Sequence, residues 1–184
     1  MTFARIRSLV LVAVLLLAAG VLVVIAITRD TQTDSAHQAQ ACPAGYVQAN
    51  LRLPEETRTI KINVYNATDT VNLATNVGTD FRNRKFTVVK TANDPLKKAV
   101  GDVAVLRYGP KTVGAAYLLD AYFLNAAKHE FDIARTDDVV DVVIGTGFRQ
   151  LATSTEVAQA VIAAGPAFVD RHPPAPKGTC DSGF

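Results

Sequence analysis

The chain has 184 residues, two cysteines and a net charge of +2, with about half of its residues apolar. This length accommodates one domain with appendages, and a balance of 19 basic residues against 17 acidic ones is too weak to argue for nucleic acid, so no nucleic-acid partner is expected. Two cysteines far apart cannot form a zinc site by themselves, and no metal or cofactor is expected.

Leu9 to Ile27 is a run of 19 residues without a charge. As a helix it spans roughly 28 Å, close to the hydrocarbon thickness of a bilayer. Arg5 and Arg7 precede it, while Arg29 and Asp30 after it nearly cancel. The N-terminus is therefore expected in the cytoplasm and the remaining chain outside the plasma membrane. A cleaved signal peptide is the rival reading. It calls for a shorter apolar region and a nearby small-x-small site, whereas Ala39-Gln40-Ala41 lies far beyond the run. The expected organisation is a cytoplasmic tail 1–8, a signal anchor 9–27, a polar stalk 28–41 and an extracytoplasmic domain 42–184. The stalk reaches on the order of 20 Å as a coil. In that compartment Cys42 and Cys180 are expected to form a disulfide joining the two ends of the domain; two free or intermolecular thiols are the alternative.

Val47, Ala49, Leu51 and Leu53 alternate, which predicts a short edge strand ended by Pro54. Ile60, Ile62 and Val64 alternate as a half-buried strand. Asn66, Thr68 and Asp69 then mark a turn and a helix N-terminus. Val71, Ala74, Gly78 and Phe81 recur at helical spacing, and Phe86, Val88 and Lys90 resume a strand. Asn93-Asp94-Pro95 is a turn, with a helical turn expected from Leu96 to Val100. The pattern repeats with a strand from Val103 to Tyr108, a break at Gly109-Pro110, and helical periodicity from Val113 to Ala127. A short strand is expected around Phe131, Ile133 and Ala134. Val139 to Ile144 is the most β-branched run and predicts a central strand. Thr153 and Glu156 form a capping box for a helix from Ser154 to Ala164, which Gly165-Pro166 stops. The fold class is α/β (α+β): two strand-helix-strand units in a mixed sheet of four or five strands with helices packed on it.

Catalytic constellations are absent: there is no Gly-x-Ser-x-Gly, Ser-x-x-Lys or His-Glu-x-x-His. His129 reads as a helix C-terminal cap, and Asp120 as a semi-buried partner of a backbone amide or a basic residue. Gly145-Thr146-Gly147 follows a strand but lacks the remainder of a dinucleotide fingerprint, so it reads as a strand-ending turn. Asp137, Asp138 and Asp141 fit no calcium loop. Asn66-Ala67-Thr68 matches the glycosylation sequon by its three residues alone. Arg82, Arg84 and Lys85 either offset a helix dipole or contact an anion such as phosphate or wall polymer.

Val64-Tyr65-Asn66-Ala67-Thr68, Leu73-Ala74, Phe81 and Phe86-Thr87-Val88 resemble the LytR C-terminal domain family. The resemblance extends through Val105-Leu106-Arg107-Tyr108-Gly109 and Val142-Val143-Ile144-Gly145, covering about Arg58 to Gly147. Ala67 and Asn72 stand where the family pattern has glycine. The resemblance implies a non-enzymatic envelope module in its solo, membrane-anchored actinobacterial form. Its implied partners are envelope-assembly enzymes such as LytR-type phosphotransferases, or cell-wall polymer. On that reading Asn66, Thr68, Arg82, Arg84 and Lys85 are candidate binding residues. The alternative is an isoprenoid- or acyl-binding module with an apolar cavity under Tyr117, Phe123 and Phe131. An enzyme acting on pyrophosphate-linked lipids is the least supported reading, because it needs clustered arginine and aspartate.

Overall fold

The computed structural model describes residues 42–165 and 173–181. The tail, the 9–27 segment and the stalk lie outside them. Among the described residues no helix is long and apolar enough to cross a membrane.

The elements are β1 (Val47–Ala49), β2 (Lys61–Asn66), α1 (Leu73–Asn83), β3 (Thr87–Asn93), β4 (Ala104–Tyr108), α2 (Val113–Ala121), β5 (Lys128–Phe131), β6 (Val139–Ile144), α3 (Ser154–Ala163) and β7 (Thr179–Asp181). Among the described residues the main sheet has five strands in the order β3-β2-β6-β4-β5. The two strand-helix-strand units are present as β2-α1-β3 and β4-α2-β5, each pairing its own strands in parallel. β6 lies between the units, parallel to β2 and antiparallel to β4. Its β-branched run suits that central place, because a central strand is buried on both faces.

Alternation sorts the two faces of the sheet. Ile62, Val64, Leu106, Tyr108, Val140, Val142 and Ile144 share one core with Ala74, Val77 and Phe81 of α1 and with Val113, Ala116 and Leu119 of α2. Phe81 is fully buried in it, and a side chain of that size contributes about 2–3 kcal/mol by leaving water. The opposite face carries a smaller apolar group of Tyr65, Val105 and Val143, joined by Val100 from the β3–β4 loop. The domain is thus a sheet with helices on one face and a loop over part of the other.

Several local features depart from expectation. β1 is not an edge of the main sheet; it pairs in parallel with β7, Gln48 opposite Cys180. The Cys42–Cys180 disulfide fastens the same place, with Cα atoms 5.8 Å apart, inside the normal span of a bridge. The segment after Asp94 is a turn followed by irregular chain, with Lys97 left-handed at φ 51°, and not a helical turn. α2 stops at Ala121 because Leu124 and Asn125 both turn left-handed, with φ of 58°. β5 comes earlier than expected: Asp132 donates its N–H to the Tyr108 carbonyl and Asp132–Ala134 is a turn. The capping box of α3 forms as expected, with Thr153 and Glu156 bonding reciprocally.

Candidate functional site

Strand polarity gives the sheet two unlike edges. The starts of β2, β3 and β6 share one edge with the ends of β4 and β5. The chain enters at that edge: Asn50 donates its N–H to the Pro110 carbonyl and accepts from Gly114. The opposite edge holds the β2–α1 turn, the β3–β4 loop and the Gly145–Gly147 turn.

Asn66 ends β2 and organises the first of these turns. Its side chain is buried, and its Oδ1 accepts from both the N–H and the hydroxyl of Thr68. Its Nδ2 donates to the Thr70 carbonyl at 2.7 Å, and Thr68 Oγ1 accepts from the Thr70 N–H. Asn66 and Thr68 are therefore brought together, but as the frame of a turn and not as a helix cap. The helix begins later, after Asn72, which sits left-handed at φ 62° and makes no side-chain cap. Asparagine tolerates that conformation better than other non-glycine residues, which explains how it replaces glycine there. Ala67 is not left-handed, so its position requires no glycine. The amide nitrogen of Asn66 is committed to Thr70, which argues against glycan attachment there.

The turn faces the β3–β4 loop across a cleft of about 300 Å³ lined by Asn66, Thr68, Asp69, Asp94, Lys97 and Lys98. Leu96 is half exposed beside it. Asp94 is almost entirely buried and takes a two-pronged bond from Arg107, Nη1 to Oδ1 at 2.7 Å and Nη2 to Oδ2 at 3.1 Å. Burial alone raises the Asp94 carboxyl. The hydrogen bonds from Arg107 and the Leu96 amide, with the charges of Arg107 and Lys98, outweigh it and hold the group below the ordinary aspartate range.

A polar row runs from this loop across all five strands on the helix-free face. In register it reads Lys90, Asn63, Asp141, Arg107, Glu130. Asn63 donates to Asp141 at 2.7 Å. Arg107 Nε reaches Glu130 at 3.1 Å, and Arg135 bridges Asp137, Asp141 and the Arg107 carbonyl. Sequence reading missed this row. Each residue is visible as a polar position in a strand, but only the register makes them neighbours.

The basic trio sits at the C-terminal end of α1. Arg84 Nη1 donates to the Ala152 carbonyl and its guanidinium lies 5.6 Å from the Tyr122 ring centroid. Arg82 and Lys85 are exposed. The aromatic trio is packed side by side with other rings: Phe123 lies 6.2 Å from Phe81 and 6.1 Å from Phe148, and Phe131 lies 5.7 Å from Tyr108. Tyr117 lies 4.8 Å from His129.

His129 does not cap a helix. It lies in β5, where Asp120 Oδ2 and the Tyr108 hydroxyl are each 3.0 Å from its ring nitrogens. An ionised carboxylate only accepts, so Nε2–H donates to Asp120 and, in the neutral ring, Nδ1 accepts from Tyr108. Asp120 Oδ1 also accepts the Ala127 N–H, the backbone partnership expected of it. Burial, then Tyr117 and Asp120, push the Tyr108 hydroxyl well above the ordinary phenol range. This is a clasp between α2 and two strands, and it leaves Tyr108 protonated.

The Gly145–Gly147 turn offers no cradle for phosphate. The N–H groups of Gly145, Thr146 and Gly147 donate to the carbonyls of Val103, Val100 and Asp102. Among the described residues no group of three or more His, Cys, Asp or Glu side chains is placed to hold a metal ion.

Residues 59–148 match the family described as LytR cell envelope-related transcriptional attenuator. The fold is similar to the crystal structure of the soluble domain of a conserved hypothetical secreted protein from Mycobacterium marinum. Identity is 25% and the TM-score 0.52, over 60% of this chain and 75% of that one. No curated protein matches. Residues 59–148, just under half of the chain, thus carry the match to the LytR C-terminal domain family.

Proposed function

We propose that this chain is a non-enzymatic interaction module of the cell envelope. The apolar segment 9–27 holds it at the plasma membrane with residues 42–184 outside. It supports envelope integrity by docking an envelope-assembly enzyme, such as a LytR-type phosphotransferase, or wall polymer. One observation carries the reading: both ends of the domain are fastened at one edge, by β1–β7 and the Cys42–Cys180 bridge, while the irregular turns lie at the opposite edge. A tether at the first edge leaves the Asn66–Asp69 turn and the Leu96–Lys98 loop pointing away from it. Functional residues concentrate on such loops, carried by a rigid scaffold, and in open α/β sheets ligands gather beyond the carboxyl ends of parallel strands.

The test is in-cell photocrosslinking of the full anchored chain, with the photoreactive residue at Leu96 or, for comparison, at Arg58 near the tethered edge. Envelope proteins or wall polymer captured through Leu96 support the reading. Capture confined to Arg58 overturns the choice of edge, and capture at neither overturns the function.

A further inference from the structure

A second cleft, of about 520 Å³, opens at the tethered edge, away from the turns just described. It lies between the segment from Asn50 to Lys61, the first turn of α2 and the start of β6. Its volume falls within the range of small-molecule sites. Leu53, Pro54, Ile60 and Ala115 give it an apolar floor, and its walls are polar and carry both signs of charge. Two of the cations are already matched to carboxylates: Arg52 Nη2 is 3.2 Å from Glu55 Oε1, and Lys61 Nζ is 2.7 Å from Asp138 Oδ2. Lys111, on the wall beside them, is exposed; its charge acts on Asp138, which Lys61 already pairs, and no carboxylate among the described residues is bonded to it alone. The cleft therefore holds one positive charge in excess.

We propose that this cleft binds a phosphorylated polyol, its phosphate on Lys111 and its hydroxyls along the paired charges of Arg52, Lys61 and Asp138. The chemistry follows from the lining. The two ion pairs present donors and acceptors side by side at the surface of the cleft, which suits vicinal hydroxyls. No aromatic ring lines the cleft, so a flat ligand has nothing to stack on. The surplus cation selects an anion, and a lysine meets phosphate as a point charge. Two sources share this chemistry: the headgroup of a lipid and a sugar phosphate of a wall polymer. The site is separate from the opposite edge, so either proposal stands or falls without the other.

The experiment is calorimetric titration of the full chain in detergent with four probes: α-glucose 1-phosphate, sn-glycerol 3-phosphate, glucose and inorganic phosphate. One or both esters are expected to bind with Kd below about 10 mM, and more tightly than glucose or phosphate. The tighter ester identifies the source, polymer sugar or lipid headgroup. Lys111→Ala is expected to weaken binding about tenfold, the effect of losing one charge-assisted hydrogen bond. Lys111→Arg is expected to retain binding, and Lys98→Ala at the opposite edge to leave it unchanged. Lys111 is exposed, so these variants are expected to fold, and their melting curves check it. The proposal is overturned if neither ester binds, if phosphate or glucose alone binds as well as the esters, or if Lys111→Ala binds like the parent.

Discussion

Phe86 donates its backbone N–H to the carbonyl of Phe81 at 3.0 Å while the two rings meet edge to face, centroids 5.1 Å apart. Lys85 donates to the Arg82 carbonyl at the same place. These bonds and the apolar contact make a Schellman ending to α1, which aims the chain directly into β3. The residue at the left-handed position of such an ending is usually glycine; here it is Lys85, at φ 71°. Lys85→Gly is expected to stabilise the domain by about 0.5–1 kcal/mol, the left-handed cost removed less the entropy that glycine adds to the unfolded chain. Urea unfolding of both proteins checks it: the midpoint rises with no change of slope.

The Asp94–Arg107 pair makes an acid-sensitive clasp between the β3–β4 loop and β4. The Asp94 pKa is lowered in the fold, so its stabilising effect is fully present above the unfolded value of about 4 and is lost as pH falls through the folded value. Asp94→Asn is expected to cost about 3 kcal/mol at neutral pH, because Arg107 is left largely buried without its main partner. It is also expected to flatten the decline of stability below about pH 4. Denaturation midpoints at pH 7, 5 and 3 test both effects, and a parallel pH profile in parent and variant would contradict the assignment.

A Cβ at Gly145 would lie 2.1 Å from the Asp102 carbonyl oxygen, whereas one at Gly101 meets nothing within 4 Å. Gly145→Ala is expected to push the 100–103 segment off the end of β6 at a cost of at least 1–3 kcal/mol. Gly101→Ala is expected to be nearly neutral. Thermal melts of the two variants, made side by side, separate backbone crowding from a general loss of glycine.

Removing the bridge by Cys42→Ser with Cys180→Ser is expected to cost about 3–4 kcal/mol, since it closes a loop across 138 positions of sequence. β1 and β7 are three residues each and pair with each other, so they are expected to separate first. Limited proteolysis would then cut around residues 42–50 and 173–181 before the five-stranded sheet. Simultaneous loss of the whole domain would show that the bridge holds the main core as well.

The two strand-helix-strand units were legible because each is written in local periodicity: Ile60, Ile62 and Val64 alternate, then Ala74, Gly78 and Phe81 recur. The capping box of α3 was legible for the same reason. Whatever depended on pairing between distant segments was not. Nothing near Arg107 in the sequence announces Asp94, Asp141 or Glu130 as its neighbours; strand order and register decide that. His129 read as a helix cap because periodicity continued past Ala121, whereas the left-handed Leu124 and Asn125 end the helix earlier and free the chain for β5. In the candidate site, Asn66 and Thr68 were correctly read as turn residues. The basic trio lies together at the C-terminal end of α1, where Arg84 bonds the Ala152 carbonyl and Arg82 and Lys85 are exposed.

The central place of β6 has a consequence for biogenesis. β2 and β4 are not hydrogen-bonded to each other; β6 alone joins the half-sheet β3-β2 to the half-sheet β4-β5. It is also the last of the five in chain order. Until Val139–Ile144 has emerged, a growing chain therefore holds two incomplete ladders, each with an unpaired apolar edge open to other chains. Synthesis, which delivers the chain from its N-terminus, presents those edges first and their closing strand afterwards. A chain broken off before Val139 lacks the strand that joins the two halves.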